Sequence, residues 1–179
     1  MSGTPSDLDS ALIEGVPPDE LARYLEWRER IRGTNISEKT LLATDYLNHL
    51  NEIVMLLEML PDMPMMLDDC YQWQPKTYQE HFRDSGFSDR ELAIAAYDHV
   101  PTKFRRPFED VLEQMSAVTA YTIQKLADAI DKNDEQRLRL DAESLTGVIH
   151  RIIQTANGII HGTTEVMAQE EIDRFLTDL

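Results

Sequence analysis

The sequence predicts an all-α protein: an antiparallel helical bundle built around a long C-terminal helical hairpin. Apolar residues recur every three to four positions over long stretches, and strand-like alternation between turn signals is missing. Only seven glycines occur among the 179 residues. Because 42% of the residues are hydrophobic, the chain can bury the core of one ordinary domain.

Prolines, glycines and capping residues set the predicted elements of the N-terminal third. Residues 1–16 are polar and acidic and predict a flexible arm. Two prolines open a helix over 17–32, and Gly33 fits the position just after its end. Ser37 predicts the N-cap of a long helix over 38–60. Its inward positions would be Leu42, Tyr46, Ile53, Leu57 and Leu60.

Shorter elements are predicted in the middle of the chain. Residues 61–75 are rich in Met and Pro and predict a connector with one short helical turn. A short helix should follow over 78–85. The sequence Ser88-Asp89-Arg90-Glu91 has the pattern of a capping box, which predicts a helix from there to His99.

The last third predicts the hairpin, with helices over 107–131 and 134–161 joined by a turn at 132–134. The helix over 38–60 would form a third wall, and the first helix or the 88–99 helix the fourth. The domain would span 17–162, and 163–179 would be a separate C-terminal amphipathic helix. The apolar rows of the hairpin are Phe108, Leu112, Met115, Thr119, Thr122, Leu126 and Ala129, and Leu138, Ala142, Leu145, Ile149, Ile152, Ala156 and Ile159.

The charge balance disfavours several classes of partner. A formal net charge of −16 and a pI of about 4.6 argue against nucleic acid and against an anionic membrane surface. The N-terminus lacks the pattern of a signal peptide, and no window approaches 18 apolar residues. With one cysteine, Cys70, no internal disulfide can form. We therefore expect a cytoplasmic protein.

Two similar segments stand eleven residues apart, Thr146-Gly147-Val148-Ile149-His150 and Asn157-Gly158-Ile159-Ile160-His161. Eleven residues is close to three helical turns, so Gly147 and Gly158 share a face. This spacing predicts a close helix contact inside the bundle or across a homodimer, where a larger residue would destabilise by about 1–3 kcal/mol. A polar stripe of Glu143, Gly147, His150, Gln154, Asn157 and His161 lies on the same helix.

The histidines do not predict a metal or haem site. His150 and His161 would be roughly 16 Å apart along the helix axis, too far to share one ion. Each would need ligands from another helix, for which His49 is the candidate. However, His49-x-x-Glu52 is a single, reversed copy of the Glu-x-x-His step of carboxylate-bridged metal bundles. We interpret His49 as a hydrogen-bonded core histidine and expect no cofactor, with a metal or haem bundle as one alternative.

The C-terminal segment Met167-Ala168-Gln169-Glu170-Glu171-Ile172-Asp173-Arg174-Phe175-Leu176 resembles the peptides with which the chemotaxis proteins FliM and CheZ bind the response regulator CheY. That pattern is roughly Leu-Ser-Gln-x-Glu-Ile-Asp-x-Leu-Leu. The resemblance implies a docking helix with a receiver domain as partner. Its anchors would be Ile172 and Leu176, with Asp173 providing charge complementarity. Gln169 and Glu171 also match, whereas Ala168 and Phe175 depart from the pattern.

A weaker resemblance raises an enzymatic alternative. Leu145-Thr146-Gly147 is similar to a Leu-Thr-Gly segment of the CheZ active helix, but Ser144 and Val148 stand where that helix has its catalytic Asp and Gln. Glu143 and Thr146 form an acid-x-x-Thr step of the kind several receiver phosphatases use to orient water.

Other enzymatic motifs are missing. The sequence has no glycine-rich phosphate loop and no Gly-x-Ser-x-Gly elbow. The carboxylates beside Cys70 would raise the pKa of its thiol. We therefore expect a non-enzymatic regulatory or interaction protein, with the receiver phosphatase and the metal or haem bundle as alternatives.

Overall fold

The computed structural model describes residues 7–164 and 169–177. Nine α-helices and no strand occur in these ranges, which confirms the all-α prediction. Two short 3₁₀ turns, Thr44–Tyr46 and Pro64–Met66, precede α3 and α4. The helices are α1 Asp7–Ile13, α2 Pro18–Arg30, α3 Leu47–Met59, α4 Leu67–Gln72, α5 Tyr78–Asp84, α6 Arg90–Tyr97, α7 Thr102–Asp131, α8 Glu135–Ile160 and α9 Gln169–Thr177.

The predicted hairpin is formed by α7 and α8, which pack closely along their length. Asn133 takes a left-handed φ of 51° in the turn between them. The Asp134 side chain then accepts a hydrogen bond from the Arg137 backbone N–H at 3.0 Å and caps α8. Every predicted inward residue of α8 is buried, and on α7 only Leu112 is half-buried. Helical periodicity was therefore a sufficient guide to this half of the core.

The remaining helices surround the hairpin. Helix α3 packs on α8, and α4 contacts both α3 and α7. The side of the bundle between α3 and α7 is thus closed by the short helix α4, whereas the sequence had suggested the first helix or the 88–99 helix for the fourth wall. Helices α5 and α6 pack on each other, and the Tyr78 and Tyr97 rings stack between them at 4.7 Å.

The predicted helix over 38–60 is wrong in its first nine residues, because α3 begins at Leu47. The segment before it is a buried turn that includes Leu41, whose φ is +65°. Its polar groups bond to distant partners: the Thr40 hydroxyl donates to the Ile160 carbonyl at 2.6 Å, and the Ala43 N–H donates to the Tyr78 hydroxyl at 2.8 Å. The apolar positions were nevertheless placed correctly, since the five predicted inward residues are all buried.

Helix α7 begins five residues earlier than predicted, at Thr102, so Pro107 lies inside it. A proline at this position removes one backbone donor from the helix. The Thr102 N–H is capped by the Glu20 carboxylate of α2 at 2.9 Å. That cap comes from 82 residues away, so local sequence could not predict where the helix starts.

The predicted capping box at 88–91 is also wrong. Helix α6 starts after Asp89 without a side-chain cap, and the Asp89 carboxylate instead accepts from the Asn35 N–H at 3.3 Å. A capping box does form at α5, where Thr77 and Glu80 exchange hydrogen bonds.

The predicted arm over 1–16 contains a helix, α1, while residues 1–6 lie outside the described part of the chain. Leu12 and Ile13 pack against the core. The Lys103 ammonium group donates to three carbonyls at the C-terminal end of α1, those of Ala11, Leu12 and Glu14. Residues 7–16 are therefore held on the bundle instead of forming a free arm.

Candidate functional site

Helix α9 lies against α8. Ile172 is fully buried and Leu176 packs against the core, whereas Glu171 and Asp173 are exposed. The residues that the resemblance assigns as anchors are thus turned towards the bundle. Gln169 is helical, and Met167 and Ala168 lie outside the described residues.

The joint between α8 and α9 starts with a Schellman ending. Gly162 has a φ of +102°, its N–H donates to the Ile159 carbonyl at 2.9 Å, and the Thr163 N–H donates to the Gly158 carbonyl at 3.0 Å. Helix α8 therefore stops at a definite point, close to the predicted boundary between 17–162 and 163–179. Of the predicted C-terminal segment, residues 165–168 and 178–179 lie outside the described part of the chain.

Three residues of the polar stripe, Glu143, Gly147 and His150, line a groove of about 500 Å³. The groove lies between α8 and the C-terminal end of α3. His150 Nε2 lies 2.8 Å from Glu58 Oε1, and Arg139 Nη2 lies 2.7 Å from Asp62 Oδ1. The sequence had suggested His49 as the partner of a stripe histidine, but Glu58 takes that place. The other polar residues of the stripe are exposed: Glu143, Gln154, Asn157 and His161.

The two glycines of the repeat have different surroundings. A Cβ atom built on Gly147 would meet nothing within 4 Å, so the predicted close contact inside the bundle is wrong there. A Cβ on Gly158 would lie 3.1 Å from Thr163 Cγ2, which belongs to the joint and not to a neighbouring helix. A contact of this face across a homodimer stays a prediction.

Glu143 and Thr146 both line the groove, but their groups are not arranged as a water-positioning pair. The Thr146 side chain is 4% exposed, and its hydroxyl donates to the Ala142 carbonyl at 2.7 Å. Its proton is therefore engaged within α8. Glu143 is exposed to solvent.

His49 is a hydrogen-bonded core histidine, as we interpreted it. Its Nε2 accepts the Lys76 backbone N–H at 3.0 Å, so the proton of the neutral ring sits on Nδ1, 3.5 Å from Glu52 Oε2. Burial lowers the pKa of His49, which favours the neutral form. Because both ring nitrogens are engaged, His49 has no lone pair free for a metal.

A second histidine, missed in the sequence analysis, lies beside it. His81 Nε2 is 3.2 Å from Asp45 Oδ2, and the His49 and His81 ring centres are 5.9 Å apart. Within 7–164 and 169–177, no group of three or more His, Cys, Asp or Glu residues could hold a metal ion. The spacing of these residues along the chain gave no signal of their proximity.

An exposed row of methionines was also missed. Met55, Met59 and Met63 follow one another at four-residue steps and are 62%, 38% and 40% exposed, and nearby Met65 is 73% exposed. Flexible thioether side chains on a surface are typical of sites that bind protein partners. The spacing of these residues in the sequence was a usable signal.

Comparison of the chain with protein-family models, with curated proteins and with solved structures found no match. Among the described helices, none has the length and apolar character needed to cross a membrane. The function must therefore be argued from this chain's own residues.

Proposed function

We propose that this protein is a non-enzymatic, cytoplasmic regulatory protein that captures a receiver domain through α9. The observation that carries the proposal is the double role of Ile172. It is the only α9 residue among those described that is fully buried against the bundle, and it is also the central anchor implied by the resemblance to the CheY-binding peptides. The same apolar side of α9 would thus pack either on the bundle or on a partner.

The dimensions of α9 support a helix that can leave the bundle. It has nine residues, and isolated helices shorter than about 12–15 residues are marginal in water. Its order therefore depends on the surface that Ile172 and Leu176 pack on. Full burial of one Ile contributes only about 1.5–3 kcal/mol, and a partner offering an apolar groove could replace it.

The polar face of α9 supports a partner of complementary charge. Glu171 and Asp173 are exposed while the anchors are buried, so the bundle leaves the acidic face of the helix accessible. Charged groups at the rim of an interface accelerate association and select partners more than they add affinity. A net charge of −16 favours a basic surface on the partner.

The rival functions have less support. For a receiver phosphatase, the engaged hydroxyl of Thr146 is the weak point, and phosphate release from acetyl-phosphate-treated receivers would test that activity. For a metal or haem bundle, the engaged nitrogens of His49 are the weak point. The exposed Gly147 face leaves room for a second copy of this chain, which the oligomeric state in solution would test.

The test is a titration of a fluorescently labelled receiver domain with the full-length protein, with a truncation lacking 165–179, and with Ile172→Ser. The matched control is Arg174→Ala, an exposed position of α9 that the motif leaves open. Full-length protein and the control should bind with about micromolar affinity, and the other two should not. Equal binding by all four proteins, or none by the full-length protein in either phosphorylation state of the receiver, would contradict the proposal.

A further inference from the structure

A cleft of about 270 Å³ lies between the C-terminal end of α4 and the middle of α7. Trp73 and Pro75 form one wall, and Ile123 and Ala120 form the other. None of the described residues that line it carries a formal charge. In a chain with 33 acidic and 17 basic residues, this neutral lining sets the cleft apart from the rest of the surface.

The Thr119 side chain lines the cleft and is 2% exposed, yet its hydroxyl has no hydrogen-bond partner in the described part of the chain. Its neighbours on α7 behave differently. The Ser116 hydroxyl donates to the Leu112 carbonyl at 3.1 Å, and the Thr122 hydroxyl donates to the Val118 carbonyl at 2.7 Å. A buried hydroxyl without a partner is costly, so its position at this cleft points to a group from outside the chain.

The Trp73 side chain, which forms the aromatic wall of the cleft, is fixed by contacts with His49. The Trp73 ring stacks on His49, with the ring centroids 4.9 Å apart and the ring planes at 21° to each other. Its indole N–H donates to the His49 carbonyl at 3.3 Å. A ring fixed in this way is a preformed surface for a flat apolar ligand, because little side-chain freedom is lost on binding.

The remaining reactive group of the cleft is uncharged. Burial, followed by the neighbouring Asp69, raises the pKa of the Cys70 thiol to about 11, so it stays protonated near neutral pH. The lining is therefore mainly apolar, includes the buried Thr119 hydroxyl that lacks a partner, and carries no charged side chain, which discriminates against charged ligands.

We propose that this cleft is a binding site for a small uncharged aromatic alcohol, of one or two rings, whose hydroxyl group pairs with Thr119. Size supports the class of ligand, since a dry cavity of about 150 Å³ accommodates benzene. The ring would lie along Trp73 and Ile123. This site is independent of α9 and of the function proposed for it.

The test is an NMR titration of the full-length protein that follows the Trp73 indole N–H signal, with phenol as the probe. Toluene lacks the hydroxyl, so it tests whether binding needs the hydrogen bond to Thr119. Benzoate carries a negative charge, so it tests whether the cleft excludes charged ligands. Phenol should bind saturably with a Kd of about 1 mM or tighter. Benzoate should bind at least tenfold more weakly than phenol. The lack of a saturable shift with phenol, or equal binding of benzoate, would overturn the proposal.

The variants are Thr119→Val and the matched control Thr122→Val, a buried threonine of the same helix that does not line the cleft. Thr119→Val should weaken phenol at least fivefold, leave toluene unchanged and not lower the Tm, because it removes an unpaired hydroxyl. Thr122→Val should leave phenol binding unchanged. Ala120→Phe, at the exposed wall, should fill the cleft and abolish binding of both probes. Unchanged phenol binding in Thr119→Val, or equal weakening in both threonine variants, would overturn the assignment of the hydroxyl.

Discussion

The α7–α8 hairpin and α9 are both amphipathic, but they differ in helix length and in how many side chains they bury. The hairpin helices have 30 and 26 residues, pack closely on each other and meet in a turn that contains Asn133 and Asp134. Helix α9 has nine residues, and among its described side chains one is fully buried and one is partly buried. The same amphipathic pattern thus occurs in a helix that forms the core and in one that we propose can be released, and the two differ in how much of each is buried.

The largest expected effect is the loss of a side chain from the hairpin core. Ile149 on α8 and Ile172 on α9 are both 0% exposed, which makes them a matched pair. Ile149→Ala should cost about 2–5 kcal/mol of unfolding free energy, because the surrounding core cannot collapse around the cavity. Ile172→Ala should cost far less, since α9 can leave without unfolding the bundle. Urea unfolding measures both, and equal losses would show that α9 is part of the cooperative core.

A smaller effect should follow from acidification, and it concerns the bundle alone. The pKa of His49 is depressed in the folded state, so the unfolded chain binds more protons at low pH. The stability contributed by neutral His49 is present above its ordinary pKa of about 6.5 and is lost as the pH falls below it. The urea midpoint should drop between pH 7.5 and pH 5.5, and His49→Gln should flatten that dependence. An unchanged slope in the variant would assign the effect to other groups.

The two repeat glycines should respond in different ways to the same substitution. Gly147→Ala should raise the unfolding free energy by about 0.5–1 kcal/mol, since it lies inside α8 and a Cβ there meets no neighbour. Gly158→Ala should gain less or lose stability, because Thr163 must shift. Thermal melting measures both. A destabilised Gly147→Ala that also changes oligomeric state would instead reveal a helix contact across a dimer.

The smallest expected effect is that of deleting residues 165–179. The Tm of the truncated protein should stay close to that of the full chain, because α7, α8 and α3 keep all their mutual packing. Aggregation or unfolding of the truncated protein would show that the segment is structural.

The sequence predicted what is local or periodic. The hairpin, its turn and the glycines near the ends of α2 and α8, Gly33 and Gly162, follow from spacing and residue type within a few positions. These features need only the helical repeat and local hydrogen bonds, so they can be read without knowing what packs against them.

The features that the sequence did not predict depend on distant partners. The turn before α3 is fixed by bonds to Tyr78 and Ile160, and the start of α7 by Glu20. At the candidate sites, the apolar stripe of α9 was visible in the sequence, but the burial of Ile172 was not. The unpaired hydroxyl of Thr119 was likewise invisible, because its helical position had assigned it to the core.

Native-state hydrogen exchange of the full-length protein is the most direct test of the difference between the hairpin and α9. If α9 can be released, its amides should exchange through a local opening that costs far less than global unfolding, while the central amides of α8 exchange near the free energy of global unfolding. Addition of a receiver domain that binds should raise the protection of α9 alone. Equal protection of α9 and α8 in the free protein would contradict the account, because α9 could then leave only when the whole bundle unfolds.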